Sequence, residues 1–336
     1  MSKYHEIEIN KVKSISIKNR VSKVNVSDFA ITYHHGMSFK QFWNSLPKIL
    51  VGAQFHEFVT HVVKAHRQNK PFIWMMGAHP IKCGLNPIII DLMEKGVITA
   101  LATNGAGAIH DVELAYWGQT SEDVTANLQN GSFGMVKETA EIINETISLA
   151  RKKNLGYGEA LGQRISQDLP PYCHLSLLAK GYQLNLPVTV HVGLGTDIMH
   201  QHPNADGAAI GELSLRDFRI LAQIVTQLGG KISTDLPDST DSNHGGIVAN
   251  VGSCVILPEV FLKALTVARN LGYEVTHFYT ANFDMLPHYR PRVNVVQRPT
   301  MAGGKGYNFT GHHEIMIPLL AAAIIETLEE LATNHK

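Results

Sequence analysis

Few cysteines, few aromatic residues and no excess of either charge set the first limits on this chain. Its three cysteines, Cys83, Cys173 and Cys254, are far apart and odd in number, which excludes a disulfide framework and a paired zinc ribbon. Lysine plus arginine number 29 and so do aspartate plus glutamate, so there is no basic footprint for nucleic acid and no polybasic patch for a membrane surface. No apolar run reaches the roughly 18 residues of a membrane span. Met1 to Asn10 are charged and polar, unlike a secretory signal. The expectation is a cytoplasmic protein whose partner is a small molecule, with no nucleic acid and no membrane.

What is present is the material of a large core. The chain has 336 residues, 44% of them hydrophobic and 17% charged, enough for one large α/β domain or two small ones. The 28 glycines suit a fold with many tight strand-to-helix turns. Histidine is frequent, at 18, and those beside glycines draw attention.

The first 35 residues alternate polar and β-branched types (EIEINKV, SISI) and read as an arm, 1–35, with short strands. Two helices are expected between Ser38 and Asn69. A repeating pattern then begins, with strands at 71–77, 97–105, 187–192, within 246–256 and at 274–280. Between and after them lie helices at Leu85–Lys95, Ala108–Tyr116, Val136–Lys152, Leu215–Leu228, Pro258–Asn270 and Ile315–Leu331. Thr120 and Asp123 read as a capping box that opens one more helix. Strands alternating with helices predict an α/β fold, a Rossmann-like parallel sheet with helices on both faces, over a single domain 36–336. In such sheets ligands bind at the carboxyl ends of the strands.

Four or five small-residue turns fall there. They are Gly77-Ala-His79-Pro-Ile-Lys82-Cys83-Gly84, Ala102-Thr103-Asn104-Gly105-Ala-Gly107-Ala-Ile-His110-Asp111, Gly193-Leu-Gly195-Thr196-Asp197, Val251-Gly252-Ser253 and Thr280-Ala-Asn-Phe-Asp284. The full dinucleotide fingerprint with its third glycine is absent. Lys82 adds positive charge beside backbone N–H groups that suit an anion. His200 and His202, with His312-His313-Glu314, offer metal-ligand types. Asp235, Asp238 and Asp241 with His244 form a polar loop suited to a divalent cation, a substrate amine or only water.

In order and spacing, these turns resemble deoxyhypusine synthase and its bacterial relatives. The likeness runs through IWMMGAHPIKCGLNPIIIDLMEKGVITALATNGAGAIHDVELA (73–115), Pro187-Val188, VGSCVILPEVF (251–261), Tyr279–Asp284 and Ile317-Pro-Leu-Leu320, over roughly residues 70–330. The resemblance implies a deoxyhypusine synthase-like NAD-binding fold. It implies NAD held by Gly84, Thr103, Asn104, Gly105, Asp197, Gly252, Ser253, Thr280 and Asp284, and a homo-oligomer, dimer or tetramer, with sites between subunits. The family's imine-forming lysine follows an Arg-Pro segment, which here is Arg298-Pro299-Thr-Met-Ala-Gly-Gly304-Lys305. An imine-forming lysine must be neutral when it attacks. The family's tryptophan beside that lysine is missing, and His79 and His312 stand where the family has other polar groups. The expectation is therefore a divergent relative rather than a true deoxyhypusine synthase. It would be an NAD-dependent transferase or oxidoreductase acting on a small amine or carbonyl substrate. Lys305 would be its imine-forming or proton-transfer residue, with His79 and His312 in acid–base roles. The alternatives are a non-catalytic nucleotide-binding or sensing protein on the same fold, and a metal-dependent hydrolase or isomerase using the histidines.

Overall fold

The computed structural model describes residues 2–230 and 244–333. Asp235, Asp238 and Asp241 lie outside the described residues. Contacts gather into two units, 1–54 and 55–336. In the first, Phe39–Ser45 (α1) starts with a capping box in which Ser38 and Gln41 bind each other's backbone. No strand forms among its described residues, where short strands were expected. Only 3₁₀ turns at Ile17–Asn19 and Val26–Asp28 interrupt an exposed segment. Alternation alone does not make a strand when no second strand satisfies its backbone N–H and C=O groups.

The second unit carries one sheet of six strands: β1 (Phe72–Met76), β2 (Ala100–Asn104), β3 (Val188–His191), β4 (Ile247–Val251), β5 (Phe278–Asp284) and β6 (Gly304–Thr310). All pairings are parallel and the order is β3-β2-β1-β4-β5-β6. This is the order of a doubly wound dinucleotide-binding sheet, which reverses direction between β1 and β4. The central strands are buried on both faces, which is why they read as continuous apolar runs.

The register sorts the side chains. Trp74, Ala249, Ala281 and Tyr307 stand in one row. On that face Phe58, from α2 (Leu50–Arg67), packs against Phe283, Tyr307 and Phe309. Ile73, Met75 and Val248 point to the opposite face. They share a core there with Leu221 and Val225 of α10 (Gly207–Val225) and with Phe261 and Leu265 of α11 (Ile256–Asn270). The remaining helices are α3 (His79–Lys82), α4 (Asn86–Glu94), α5 (Gly105–Trp117), α6 (Val124–Asn130), α7 (Lys137–Arg151), α8 (Tyr157–Asp168), α9 (Leu177–Gln183), α12 (Tyr289–Pro291) and α13 (His313–Thr333).

Two buried aspartates tie these layers together. The carboxylate of Asp111 accepts from Ser176 Oγ at 2.6 Å, Leu177 N at 2.8 Å and Leu178 N at 3.1 Å, capping α9 from α5. Asp217 accepts from Val190 N at 2.7 Å, Gly158 N at 3.0 Å and Tyr157 N at 3.1 Å, fastening β3 and the start of α8 to α10. Burial raises both carboxyls, Asp111 to about 6 and Asp217 to about 7, although the hydrogen bonds oppose it. An asparagine ladder crosses three strands: Asn250 Nδ2 donates to Asn282 Oδ1 at 2.8 Å, and Asn282 Nδ2 to Asn308 Oδ1 at 3.0 Å.

Candidate active site

Where β1 and β4 part, their ends come so close that a Cβ at Gly77 would stand 2.7 Å from the carbonyl oxygen of Gly252. Gly252 itself has φ +67°, and a Cβ there would be 2.8 Å from Cε1 of His313. Glycine is thus required at this turn by conformation and by space. His313 is buried, and its Nε2 donates to the carbonyl of Phe283 at 2.9 Å. Next to it the ring of His79 stands 5.3 Å away, centroid to centroid. Burial and then the nearby His313 lower the His79 pKa. Cys83 Sγ donates to Glu314 at 3.6 Å, and Gly84 follows directly. Asp284, at the end of β5, is buried, and its Oδ2 has no hydrogen-bond partner among the described residues.

The next turn along the edge is closed by the protein itself. Asn104 ends β2 and caps α5, its side chain accepting from Gly107 N at 2.9 Å. A Cβ at Gly107 would lie 2.0 Å from Thr103 Oγ1, and one at Gly105 would lie 1.7 Å from Asp197 Oδ2. The glycine pair therefore serves internal packing: Asp197 sets its carboxylate against the first turn of α5, an end that favours negative charge. Burial raises the Asp197 pKa, and His200 works against that.

Beyond this turn opens a cavity of about 630 Å³ between α5, the 117–124 segment, the start of α7 and the loop 196–198. Its walls combine apolar Ile109, Trp117, Phe133 and Val136 with the charged or titratable Lys82, His110, Glu113, Glu122, Glu138 and Asp197. Glu122 is committed to the loop, accepting from Asn127 Nδ2 at 2.7 Å and Gly134 N at 2.9 Å. Glu113 accepts from Thr120 at 2.5 Å and Thr139 at 3.3 Å. Burial works to raise its pKa, but His110 and the two threonines outweigh it and hold the group below the usual carboxylate range.

The residues expected from the sequence fall into three groups. His79, Gly84, Thr103, Asn104, Gly105, Asp197, Gly252, Ser253 and Asp284 lie at or just beyond the carboxyl ends of the strands. His312 precedes α13 at the same edge, exposed and 3.7 Å from Glu314. Ser253 is turned inward, its Oγ accepting from Leu257 N at 3.2 Å. Thr280 is not with them: it sits inside β5, four residues and about 13 Å before Asp284. Lys305 is not with them either. It is the second residue of β6, paired in register with Tyr279, so about 17 Å of strand separates it from the carboxyl edge at Thr310. There its ammonium donates to Glu57 at 2.6 Å and lies 5.1 Å from the ring of Tyr307. A paired ammonium is the opposite of the neutral amine that imine formation needs.

The histidines named as metal ligands also stay apart. His200 Nδ1 accepts from Gly195 N at 3.1 Å, and His202 Nε2 meets the carbonyl of Gly134 at 2.8 Å. Among the described residues, the ligand atoms that do cluster within 4.8 Å belong to His79, Cys83 and Glu314, and to Cys254, Asp284 and His288. Sequence reading gave no functional role to His110, Glu113 or Thr120, although His110 stands in the second turn. Thr120 was taken as a capping residue. The N-cap of α6 is Asp123 alone, whose side chain accepts from Ala126 N at 3.1 Å.

No protein-family model matches the chain, and no curated protein does. Solved structures do. A cysteine-to-alanine variant of AgrE bound to L-arginine is 11% identical, with 82% of this chain and 32% of that one covered and a TM-score of 0.50. AgrE with ornithine and NAD+ is 10% identical, covering 84% and 33%, at 0.48. A candidate deoxyhypusine synthase from Entamoeba histolytica is 11% identical, covering 88% of this chain and 96% of that one, at 0.49. A candidate LOR/SDH protein from Methanococcus maripaludis S2 is 14% identical, covering 83% and 70%, at 0.47. The likeness is one of fold, and the chain has an α/β fold shared with AgrE while spanning about a third of AgrE's length.

Proposed function

We propose that this chain is an NAD-dependent enzyme. It would hold the dinucleotide at the carboxyl edge of the sheet and act on a small amine or carbonyl compound in the cavity beside Asp197. The observation that carries the reading is the reversal of strand order between β1 and β4, where the turns at Gly77 and Gly252 have room for no side chain and leave their backbone at the sheet's carboxyl edge. The donor and acceptor set there fits the group. Asp284 Oδ2 and Thr103 Oγ1 are buried oxygens without partners among the described residues, and a carboxylate oxygen suits ribose hydroxyls. Gly84, Asn104, Gly252 and Asp284 are the residues to hold it. When bound, NAD supplies a hydride acceptor.

The substrate class follows from the cavity. Four carboxylates against one lysine, with aromatic and aliphatic walls, favour a cationic amine on an apolar frame. The sequence resemblance to deoxyhypusine synthase supports the dinucleotide reading. Lys305 contributes no group to this edge within one chain. The test is NAD reduction, followed by absorbance, with the full chain and a panel of primary amines, amino acids and hydroxy compounds. Turnover with amines supports the reading. NAD binding with no turnover supports a nucleotide-sensing protein, and absence of binding removes both.

A further inference from the structure

A hydroxyl carries one proton, and that fact decides the chemistry of His110. Thr120 Oγ1 lies 2.5 Å from Glu113 Oε2 and 2.5 Å from His110 Nδ1. An ionised carboxylate only accepts, so the Thr120 proton goes to Glu113. The oxygen then has lone pairs alone for His110, and Nδ1 must carry the hydrogen. Nε2 is left as the bare nitrogen, with no hydrogen bond among the described residues, on a ring that lines the cavity. His110 and Glu113 side chains are 15% and 14% exposed, and the direct Nδ1–Oε2 distance is 3.8 Å, so the threonine is the link. Thr139 Oγ1, fully buried, holds the other carboxylate oxygen at 3.3 Å and fixes Glu113 in place.

We propose that His110 is the proton-transfer residue of the cavity, with Thr120 and Glu113 as positioning residues that fix its tautomer and stabilise its protonated form. The step is a single transfer. An N–H or O–H bond of the bound substrate breaks, its electron pair stays on the substrate, and a new N–H bond forms at Nε2. The imidazolium then donates through Thr120 towards Glu113, which remains ionised. This deepens the proposed function and rests on the cavity being the substrate site. The other titratable groups facing His110 are Lys82, Glu122, Glu138 and Asp197. Glu122 is already spent on Asn127 and Gly134, and none of these groups is a neutral imidazole with a bare nitrogen to take a proton.

The test uses the full chain with nitrogen-15 histidine, the His110 signals being assigned by their loss in His110→Asn. The wild type is expected to show the neutral Nδ1–H tautomer. Thr120→Ser keeps it, and Thr120→Val loses it. Diethyl pyrocarbonate should label Nε2 in the wild type, read by peptide mass, whereas a histidine with a merely structural role and a hidden Nε2 stays unlabelled. In the NAD-reduction assay with amines, His110→Gln should lower kcat by about 10²–10⁴. An Nε2–H tautomer in the wild type, an unreactive His110, or an unchanged kcat overturns the proposal. Failure of NAD to bind would sink the proposed function and leave the tautomer and labelling results to stand or fall alone.

Discussion

Asp197 rests on Gly105: the carboxylate fills the space that any side chain at 105 would need, at 1.7 Å from the position of its Cβ. The contact joins the start of α5 to the loop 196–198 that walls the cavity. Gly105→Ala must push Asp197 out. The expected cost is about 1–3 kcal/mol of stability, the range for overpacking a well-filled site, together with a weakened cavity. A urea midpoint and the NAD-reduction assay measure the two effects separately. An alanine variant as stable and as active as the wild type would mean the loop adjusts freely.

Gly252→Ala meets two obstacles, a left-handed φ and the ring of His313. The left-handed conformation alone costs roughly 1–2 kcal/mol for a residue with a Cβ. Relief requires the turn or His313 to move, so dinucleotide affinity should fall by at least about tenfold, an energy of 1.4 kcal/mol. Calorimetric titration of NAD against the folded variant checks this. Unchanged affinity would place the cofactor elsewhere.

The contribution of Asp217 to stability should fall as pH rises across the acid range. Its folded-state pKa, about 7, lies above the roughly 3.9 of an unfolded aspartate. Between those values the folded chain keeps a proton that the unfolded chain has released. The group therefore favours folding most below pH about 4 and loses that contribution as pH climbs towards 7, at up to about 1.4 kcal/mol per unit. Asp217→Asn should flatten this part of the profile. It should also cost about 1–3 kcal/mol at low pH, because an amide cannot accept all three backbone N–H bonds. Denaturant midpoints from pH 4 to 8 give both quantities, and a variant with the wild-type slope would contradict the assignment.

Lys305→Ala should do little. The Lys305–Glu57 pair is nearly half exposed, at 47% and 42%, and exposed pairs contribute about 0–1 kcal/mol. NAD affinity and turnover should stay within about twofold of the wild type, a difference of under 1 kcal/mol. A collapse of activity would return the chemistry to the amino edge.

The sheet was legible because its strands are buried on both faces. Phe72–Met76 and Ile247–Val251 are short, largely apolar segments, and glycine turns follow them. The edge strand β6 was not legible: Gly304-Lys-Gly-Tyr-Asn-Phe-Thr pairs with one neighbour only and carries two glycines. Nor was α8, whose glycines argue against a helix until Asp217 supplies two acceptor oxygens to its first turn. In the site, composition and order pointed to the turns but not to which end of a strand each residue occupied. Lys305 was placed by its Arg-Pro segment alone, with no strand expected there, whereas Gly303 and Gly304, both at positive φ, open one. His110 was visible as one histidine in eighteen. Its partner Thr120 is ten residues away and comes into reach only because α5 ends at Gly118, in the left-handed conformation, and the chain turns back.

The account turns on which edge of the sheet binds the dinucleotide, and one titration decides it. Calorimetry of NAD against the wild type, Gly252→Ala and Lys305→Ala should give equal affinities for the wild type and Lys305→Ala, and a loss of about tenfold or more for Gly252→Ala. No binding to the wild type, or binding that survives in Gly252→Ala and disappears in Lys305→Ala, would contradict it.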